Sequence, residues 1–352
     1  MKVLVAMSGG VDSSVAAGLL VDAGHEVVGA TLKLWGGASD SGCCSVADVD
    51  DARRVAQVLG IDHHVFNYSE EFERQVVGPF VAGHADGRTP NPCIECNRHI
   101  KFDLLFERAA RLGFDAVATG HHAQVLRRGT SYYLTRGVDA RKDQSYVLGY
   151  LVEAQLVRLM LPIGTMMKDE VRLVAERLGL RTWDKPDSQD VCFIEASRGR
   201  EVFLRSRLEL TPAQVVDRST GDVLGVVDAA ELITVGQRRG VAPGLDGQRR
   251  FVAKVDLAAH VVEVGRLDEV LVGRLDLDES SLTFARDALG AGTRVLAQWS
   301  AHGRPQGATV VCEPNWALEL DDAARPVAPG QTVVFYRRDE PTIVEGAAIV
   351  AA

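Results

Sequence analysis

An apolar run at residues 2–7 ends in Ser8-Gly9-Gly10 and passes at once into an apolar helical stretch at 13–23. An apolar strand that leads through a glycine turn into an apolar helix is covered on both faces, and a parallel sheet provides that cover. The alternation then continues. Residues 25–32 read as a second strand, 46–60 as a helix closed by glycine, and 63–68 as a third strand. Residues 97–113 read as an amphipathic helix with Ile100, Leu104, Leu105, Ala109 and Leu112 on one side. A short apolar strand at 115–119 and a glycine-stopped helix at 168–179 complete the pattern. The expected class is α/β, a parallel sheet with helices on both faces. Ligands in such sheets lie beyond the carboxyl ends of the strands, so loops 7–14, 31–36 and 119–124 are expected to line one crevice.

From about residue 206 the texture becomes β-rich. Residues 215–217 with 223–227, and 251–256 with 260–264, read as hairpins. Five further strands are expected at 294–299, 309–312, 317–320, 331–336 and 342–350, which suits a small OB-like β-barrel. With 352 residues, two or three domains are expected at roughly 150 residues each. Soft boundaries at 205 and 276 divide the chain into 1–205, a central β-rich part at 206–275, and a barrel at 276–352. No apolar run approaches the ~18 residues of a membrane helix, and residues 1–7 do not read as a signal peptide, so a cytoplasmic protein is expected. The net charge of −9 does not by itself mark a nucleic-acid binder, although a local basic patch matters more than the sum.

The loop Ser8-Gly9-Gly10-Val11-Asp12-Ser13-Ser14 carries the strongest chemical signal. Glycines permit close backbone approach, serines add hydroxyl donors, and a helix N-terminus favours an anion, so the loop reads as a phosphate cradle. It lacks the Gly-Lys-Ser/Thr ending of a Walker loop. SGGVDSS resembles the signature of the N-type ATP pyrophosphatases, which activate a carbonyl-type oxygen by adenylation. Five of the six cysteines and seven of the nine histidines precede residue 206, so reactive chemistry is expected in the first part. Cys96, at the expected start of a helix, and Cys192 both lie in polar, turn-rich segments that suit a reactive thiol. Cys43, Cys44 and Cys312 read as ordinary small core residues.

Several motifs together resemble the bacterial tRNA-specific 2-thiouridylases, over nearly the whole chain. They are SGGVDSS at 8–14, NPCIECNRHIKF at 91–102, ATGHHA at 118–123, KDQSYVL at 142–148 and LPIG at 161–164. KDEVRLVAERLGL at 168–180, DSQDVCFI at 187–194, VGQRRG at 235–240 and PGQTVVFY at 329–336 extend the likeness. The resemblance implies an adenine-nucleotide α-hydrolase-like first domain that binds ATP with Mg2+ through Ala6, Met7, Ser8, Gly9, Gly10, Val11, Asp12, Ser13, Leu32 and Gly120. It implies adenylation of the C2 oxygen of uridine 34, a Cys192 persulfide, Cys96 as nucleophile, and a Cys96–Cys192 disulfide after sulfur transfer. Asn91, Pro92 and Cys93 match the segment near the target base. His121, Lys142, Asp143, Gln144, Gln298, Trp299 and Gln331 match positions that contact tRNA. The implied partners are tRNAs for lysine, glutamate and glutamine, and a cysteine desulfurase or sulfur-relay protein.

Two departures stand out. Cys93 replaces an aspartate common in the family, so Cys93, Cys96 and Cys192 also suit three ligands of a [4Fe–4S] cluster, and both sulfur routes stay open. Gln298-Trp299 replaces an Arg-Tyr pair, which keeps the aromatic and loses the charge. His121-His122 suggests metal ligation only weakly, because adjacent side chains on a strand end point to opposite sides. Basic pairs at 127–128, 141–142, 238–239, 249–250 and 337–338 suit a phosphate track. The rival readings are a small-molecule ATP-pyrophosphatase ligase and an RNA-binding protein without catalysis.

Overall fold

The computed structural model describes residues 1–35, 45–187, 191–194 and 199–352. Cys43 and Cys44 therefore lie outside the described residues, as does part of the 187–194 motif.

Strands β1 (Lys2–Ala6), β2 (Glu26–Lys33), β3 (Asp62–Asn67) and β4 (Ala116–Ala118) follow the expected alternation. An antiparallel hairpin comes next, β5 (Ala123–Arg128) with β6 (Ser131–Arg136), and then the two-residue β7 (Leu159–Met160). The sheet runs β3-β2-β1-β4-β7, all parallel, with β1 at its centre. Leu4 packs into the core on one face and Val3 and Val5 into that on the other, which is why β1 is apolar at successive positions. Helix α1 (Val11–Asp22) and the helix Lys168–Arg177 cover the Val3/Val5 face.

Helix α2 (Val46–Leu59) starts on a capping box between Ser45 and Asp48 and stops at Gly60, in the left-handed conformation at φ 67°. The cysteine-bearing helix differs from expectation. It begins at Pro92, five residues early, and runs through Pro92–Glu95, a π-helical Cys96–Leu104 and Leu105–Arg111. The reason is local: the Asn91 side chain accepts from the Cys93 and Ile94 N–H groups, and Pro92 needs no donor at the first position. Cys96 consequently sits one turn inside the helix, where the terminal dipole has largely faded. The sequence-based placement of Cys96 at the helix N-terminus is thereby corrected.

The central part is a four-stranded sheet of β8 (Ala213–Asp217), β9 (Val223–Val227), β10 (Phe251–Asp256) and β11 (Val261–Gly265), ordered β10-β11-β8-β9. Both expected hairpins are present. A closed antiparallel barrel follows, built from β12 (Val272–Phe284), β13 (Arg294–Gln298), β14 (Gln306–Val311), β15 (Ala317–Ala324), β16 (Thr332–Arg337) and β17 (Val344–Val350). It has six strands, one more than expected. Strand β12 runs through residue 276, and its pairing with β17 shifts register between Asp278 and Thr283. The barrel is bound tightly to the first part. Ser145 Oγ lies 3.0 Å from Tyr336 Oη, and Tyr146 Oη donates to the Thr332 carbonyl at 3.0 Å. The Arg136 guanidinium lies 3.8 Å from the centroid of the Tyr336 ring.

Candidate active site

The cradle forms where β1 meets α1. Gly10 caps α1 in an extended conformation, and among the described residues no side chain caps the helix. Ser13 and Ser14 turn their hydroxyls back onto the Gly10 carbonyl, at 3.2 and 2.7 Å, and Ser8 N–H donates to Ser13 Oγ at 3.1 Å. Gly9 has φ 73°, and a Cβ there would fall 2.3 Å from the Asp48 carbonyl oxygen. A Cβ at Gly120 would fall 2.4 Å from Ser13 N. Glycine is required at both positions, because the 8–10 loop, α2 and the end of β4 converge backbone to backbone around the start of α1. Lys185 Nζ braces the loop from the Gly9 carbonyl at 3.0 Å to Asp48 at 2.7 Å and Asp51 at 2.8 Å.

Asp12 projects from the first turn of α1 onto Lys168 Nζ, at 2.7 and 2.8 Å, and accepts from His122 Nε2 at 3.2 Å. Burial works to raise the Asp12 pKa, but the His122 and Lys168 hydrogen bonds outweigh it and hold the carboxyl below its ordinary value. Lys168 is 6% exposed, and so deep a lysine requires partners. It also reaches Asp187 at 2.8 Å, a carboxylate shared with Lys142 at 2.6 Å and Arg172 at 3.2 Å. Burial opposes ionisation of Asp187, yet the Lys142 and Lys168 hydrogen bonds bring its pKa to about 2. Lys168, Asp187 and His122 lie inside motifs of the sequence, but nothing local marks them for a role at the cradle. A lysine opening an amphipathic helix carries no signal of burial.

The other expected site residues divide into groups. Ala6 and Met7 end the central strand beside the cradle, and Leu32 is buried near the end of β2. His121 is buried, its Nδ1 2.7 Å from Thr119 Oγ1 and its ring against Phe102; burial holds its pKa well below the ordinary value. His122 shows no metal-ligand arrangement, since its Nε2 is on Asp12 and its backbone N–H donates to Gln144 Oε1 at 2.9 Å. Asp143 is held by Arg136 at 2.8 Å and by the Gly137 N–H at 2.9 Å. Gln298 is 2% exposed and bonds Arg136, Ser300 and Ala301, so its side chain faces inward. Trp299 is half-buried on the barrel core, as is Cys312.

Cys96 is buried, Cys93 is exposed, and Cys192 is half-buried. Among the described residues no three of His, Cys, Asp and Glu gather within reach of one metal ion, so the three cysteines are not assembled as cluster ligands in this arrangement. The cradle, by contrast, suits a nucleotide. Mg2+ on phosphates needs only one or two protein carboxylates, and Asp12 stands at the helix start to serve. A second concavity, a pocket of about 360 Å³, is lined by Asn91, Pro92 and Gln331 and by Val191 and Ile194, which flank Cys192 in the chain. The Gln331 side-chain amide donates to the Thr89 carbonyl at the rim. The structure thus brings Asn91 and Pro92 together with Gln331, two groups that the sequence reading had kept apart. Its volume is that of a small-ligand site.

A parallel sheet with an SGGVDSS cradle at the end of its central strand defines an adenine-nucleotide α-hydrolase-like domain, here followed by a closed β-barrel. A family model described as "tRNA methyl transferase HUP domain" matches residues 1–196. The "tRNA-specific 2-thiouridylase MnmA" of Mycobacteroides abscessus is 45% identical over 99% of this chain and 99% of its own length. That of Saccharopolyspora erythraea is 43% identical over 100% and 99%. The chain belongs to the family of tRNA-specific 2-thiouridylases. Among solved structures, the "U34-tRNA thiolase NcsA from Methanococcus maripaludis with its [4Fe-4S] cluster" is 19% identical, with a TM-score of 0.36, over 54% of this chain and 60% of that one. A "4-thiouridine synthetase - RNA complex with bound ATP" is 20% identical, with a TM-score of 0.38, over 54% and 44%.

Proposed function

We propose that this protein is an ATP-dependent tRNA 2-thiouridylase that adenylates the C2 oxygen of uridine 34 and replaces it with sulfur. The observation that carries the reading is the α1 N-terminus, which has no side-chain cap among the described residues and is approached at Gly9 and Gly120 too closely for any Cβ. Its N–H groups and the Ser8 and Ser13 hydroxyls bind the triphosphate, and Lys168 lies on the Asp12 carboxylate beside it. Asp12 would hold Mg2+, which would supply charge neutralisation for the departing pyrophosphate. The uridine O2 attacks the α-phosphorus, pyrophosphate leaves, and C2 now carries an adenylate leaving group. The terminal sulfur of a Cys192 persulfide attacks C2. The Cys96 thiolate takes the Cys192 sulfur into a disulfide, AMP departs, and the transferred sulfur stays on the base. A cellular reductant then restores both thiols.

In this reading residues 1–205 carry the chemistry, while 206–275 and 276–352 flank it and hold tRNA. The substrates are tRNAs for lysine, glutamate and glutamine, sulfur arrives from a cysteine desulfurase or relay protein, and the reaction is cytoplasmic. No helix among the described residues is long and apolar enough to cross a membrane.

Two parallel assays on digested tRNA, with ATP and Mg2+ present, test the reading. Aerobic apo-protein with a persulfide donor is expected to form 2-thiouridine, and Cys192→Ser to abolish it. Product formed only by anaerobic, iron-reconstituted protein supplied with sulfide would replace the persulfide route with a [4Fe–4S] route. AMP released to another acceptor, with no thiouridine in either arm, would remove the function itself.

A further inference from the structure

The pocket beside Asn91 and Pro92 has a wall that the sulfur chemistry does not use. His84 lines that wall, 1% exposed, with Phe80 packed edge-on against its ring at 4.7 Å. Its Nδ1 lies 2.9 Å from the Glu231 carbonyl oxygen. A carbonyl only accepts, so the ring proton sits on Nδ1. Burial lowers the imidazole pKa and keeps the ring neutral, which makes Nε2 a lone-pair acceptor. Among the described residues Nε2 has no hydrogen-bond partner. A buried acceptor without a donor asks for a ligand or water that brings one. Arg200 lines the same pocket and donates one N–H to the Leu232 carbonyl at 2.9 Å. A guanidinium has five N–H groups, so donors remain for the pocket.

Beside Thr89, Asn91 and Gln331 on the same lining, His84 Nε2 offers an acceptor and Arg200 a donor, and this pair matches the edge of uracil, whose N3–H is flanked by carbonyl oxygens. We propose that His84 and Arg200 read the uracil base, Nε2 accepting its N3–H and Arg200 donating to O4. This deepens the reading of the protein as a uridine-thiolating enzyme and rests on it. The arrangement leaves O2 unencumbered for activation. Cytosine fails on both counts: it turns a bare N3 lone pair toward the His84 lone pair, and an amino group toward the guanidinium. A site built to pair a substrate N–H discriminates strongly, because the mismatch leaves buried polar groups unpaired.

The test uses the full-length enzyme with unmodified tRNA transcripts carrying uridine or cytidine at position 34. It measures kcat/KM for thiolation of the first and the inhibition constant of the second. His84→Phe keeps a ring but removes the acceptor. It is expected to lower kcat/KM on the uridine transcript about ten- to a hundredfold while leaving the cytidine constant unchanged or tighter, since the opposing lone pair is gone. His84→Gln, which retains an acceptor, is expected to recover most of the loss. Arg200→Met, a change at the opposite group, is expected to narrow the same preference even if the His84 variants fold poorly. An unchanged preference in both His84→Phe and Arg200→Met would overturn the proposal while the wild type still makes 2-thiouridine. Equal weakening toward both transcripts would do so as well. A wild type that makes no 2-thiouridine would instead remove the reading beneath it.

Discussion

Asp12 faces Lys168 and His122 at hydrogen-bonding distance and places a carboxylate in the first turn of α1. Replacing it with alanine is expected to lower AMP formation by about a hundredfold, the scale on which one preorganised electrostatic group acts. Measuring AMP release with and without tRNA checks this, and unchanged release would remove Asp12 from the nucleotide step. On the cysteine-bearing helix, His99 bridges Glu95 Oε2 at 3.2 Å and Asp103 Oδ2 at 3.3 Å. The Asp103 and Glu95 hydrogen bonds raise its pKa to about 9. A histidine raised on folding contributes stability that is fully present below pH ~6.5 and is lost as pH rises through about 9. Wild-type melting temperature is therefore expected to fall across that window, and the fall to flatten in His99→Gln. NMR titration of the imidazole gives the midpoint directly. Asp187 has the opposite sign: its pKa of about 2 means that its contribution holds above the unfolded value near 3.8 and is lost as pH falls toward 2.

Among the elements, the start of α1 is the most exacting. Gly120→Ala would drive a Cβ to 2.4 Å from Ser13 N, and the backbone of α1 has no flexible side chain there to yield. ATP affinity is expected to drop at least about tenfold with the fold retained, as read by calorimetric titration and circular dichroism. Wild-type affinity would show that the contact relaxes without disturbing the cradle. The same scale explains what the sequence disclosed. Strand β1 and helix α2 were legible because an unbroken apolar run and a Gly60 stop are written in local residue types. Strand β7 was not, being two residues long. The β5/β6 hairpin shows no clean alternation, since a two-stranded ribbon has no strictly buried face. Strand β12 hides in a polar Asp278-Glu279-Ser280-Ser281 stretch that resembles a turn and is in fact the irregular part of the pairing. The motif residues of the cradle were legible for the same local reason. His84, Arg200 and Lys168 were not, because only the tertiary fold gives them a pocket or a partner.

For the whole molecule, the barrel and the first part are expected to unfold as one unit. Tyr336 Oη, Ser145 Oγ, Arg136 and Gln298 form one connected contact between them. Tyr336→Phe removes the Tyr336–Ser145 hydrogen bond while Ser145 Oγ keeps its bond to Asp143 at 2.9 Å, and is expected to cost about 0.5–1.5 kcal/mol. Denaturant titration followed by far-UV circular dichroism and by tryptophan fluorescence checks both statements, and separated midpoints in the wild type would show that the contact does not couple the two. The net charge of −9 leaves tRNA binding to local cations, so affinity is expected to fall steeply with salt. Lys142 and Arg172, drawn together on Asp187, show how some of the protein's cations are offset internally.

Helix α1 starts on a glycine that offers no side-chain cap, so a bound nucleotide would complete its first turn, and nucleotide occupancy and thermal resistance would rise together by mass action. A melting curve becomes a gauge of how full the site is. Compounds that compete for the cradle declare themselves by the temperature at which the protein fails, before any tRNA or sulfur donor is added.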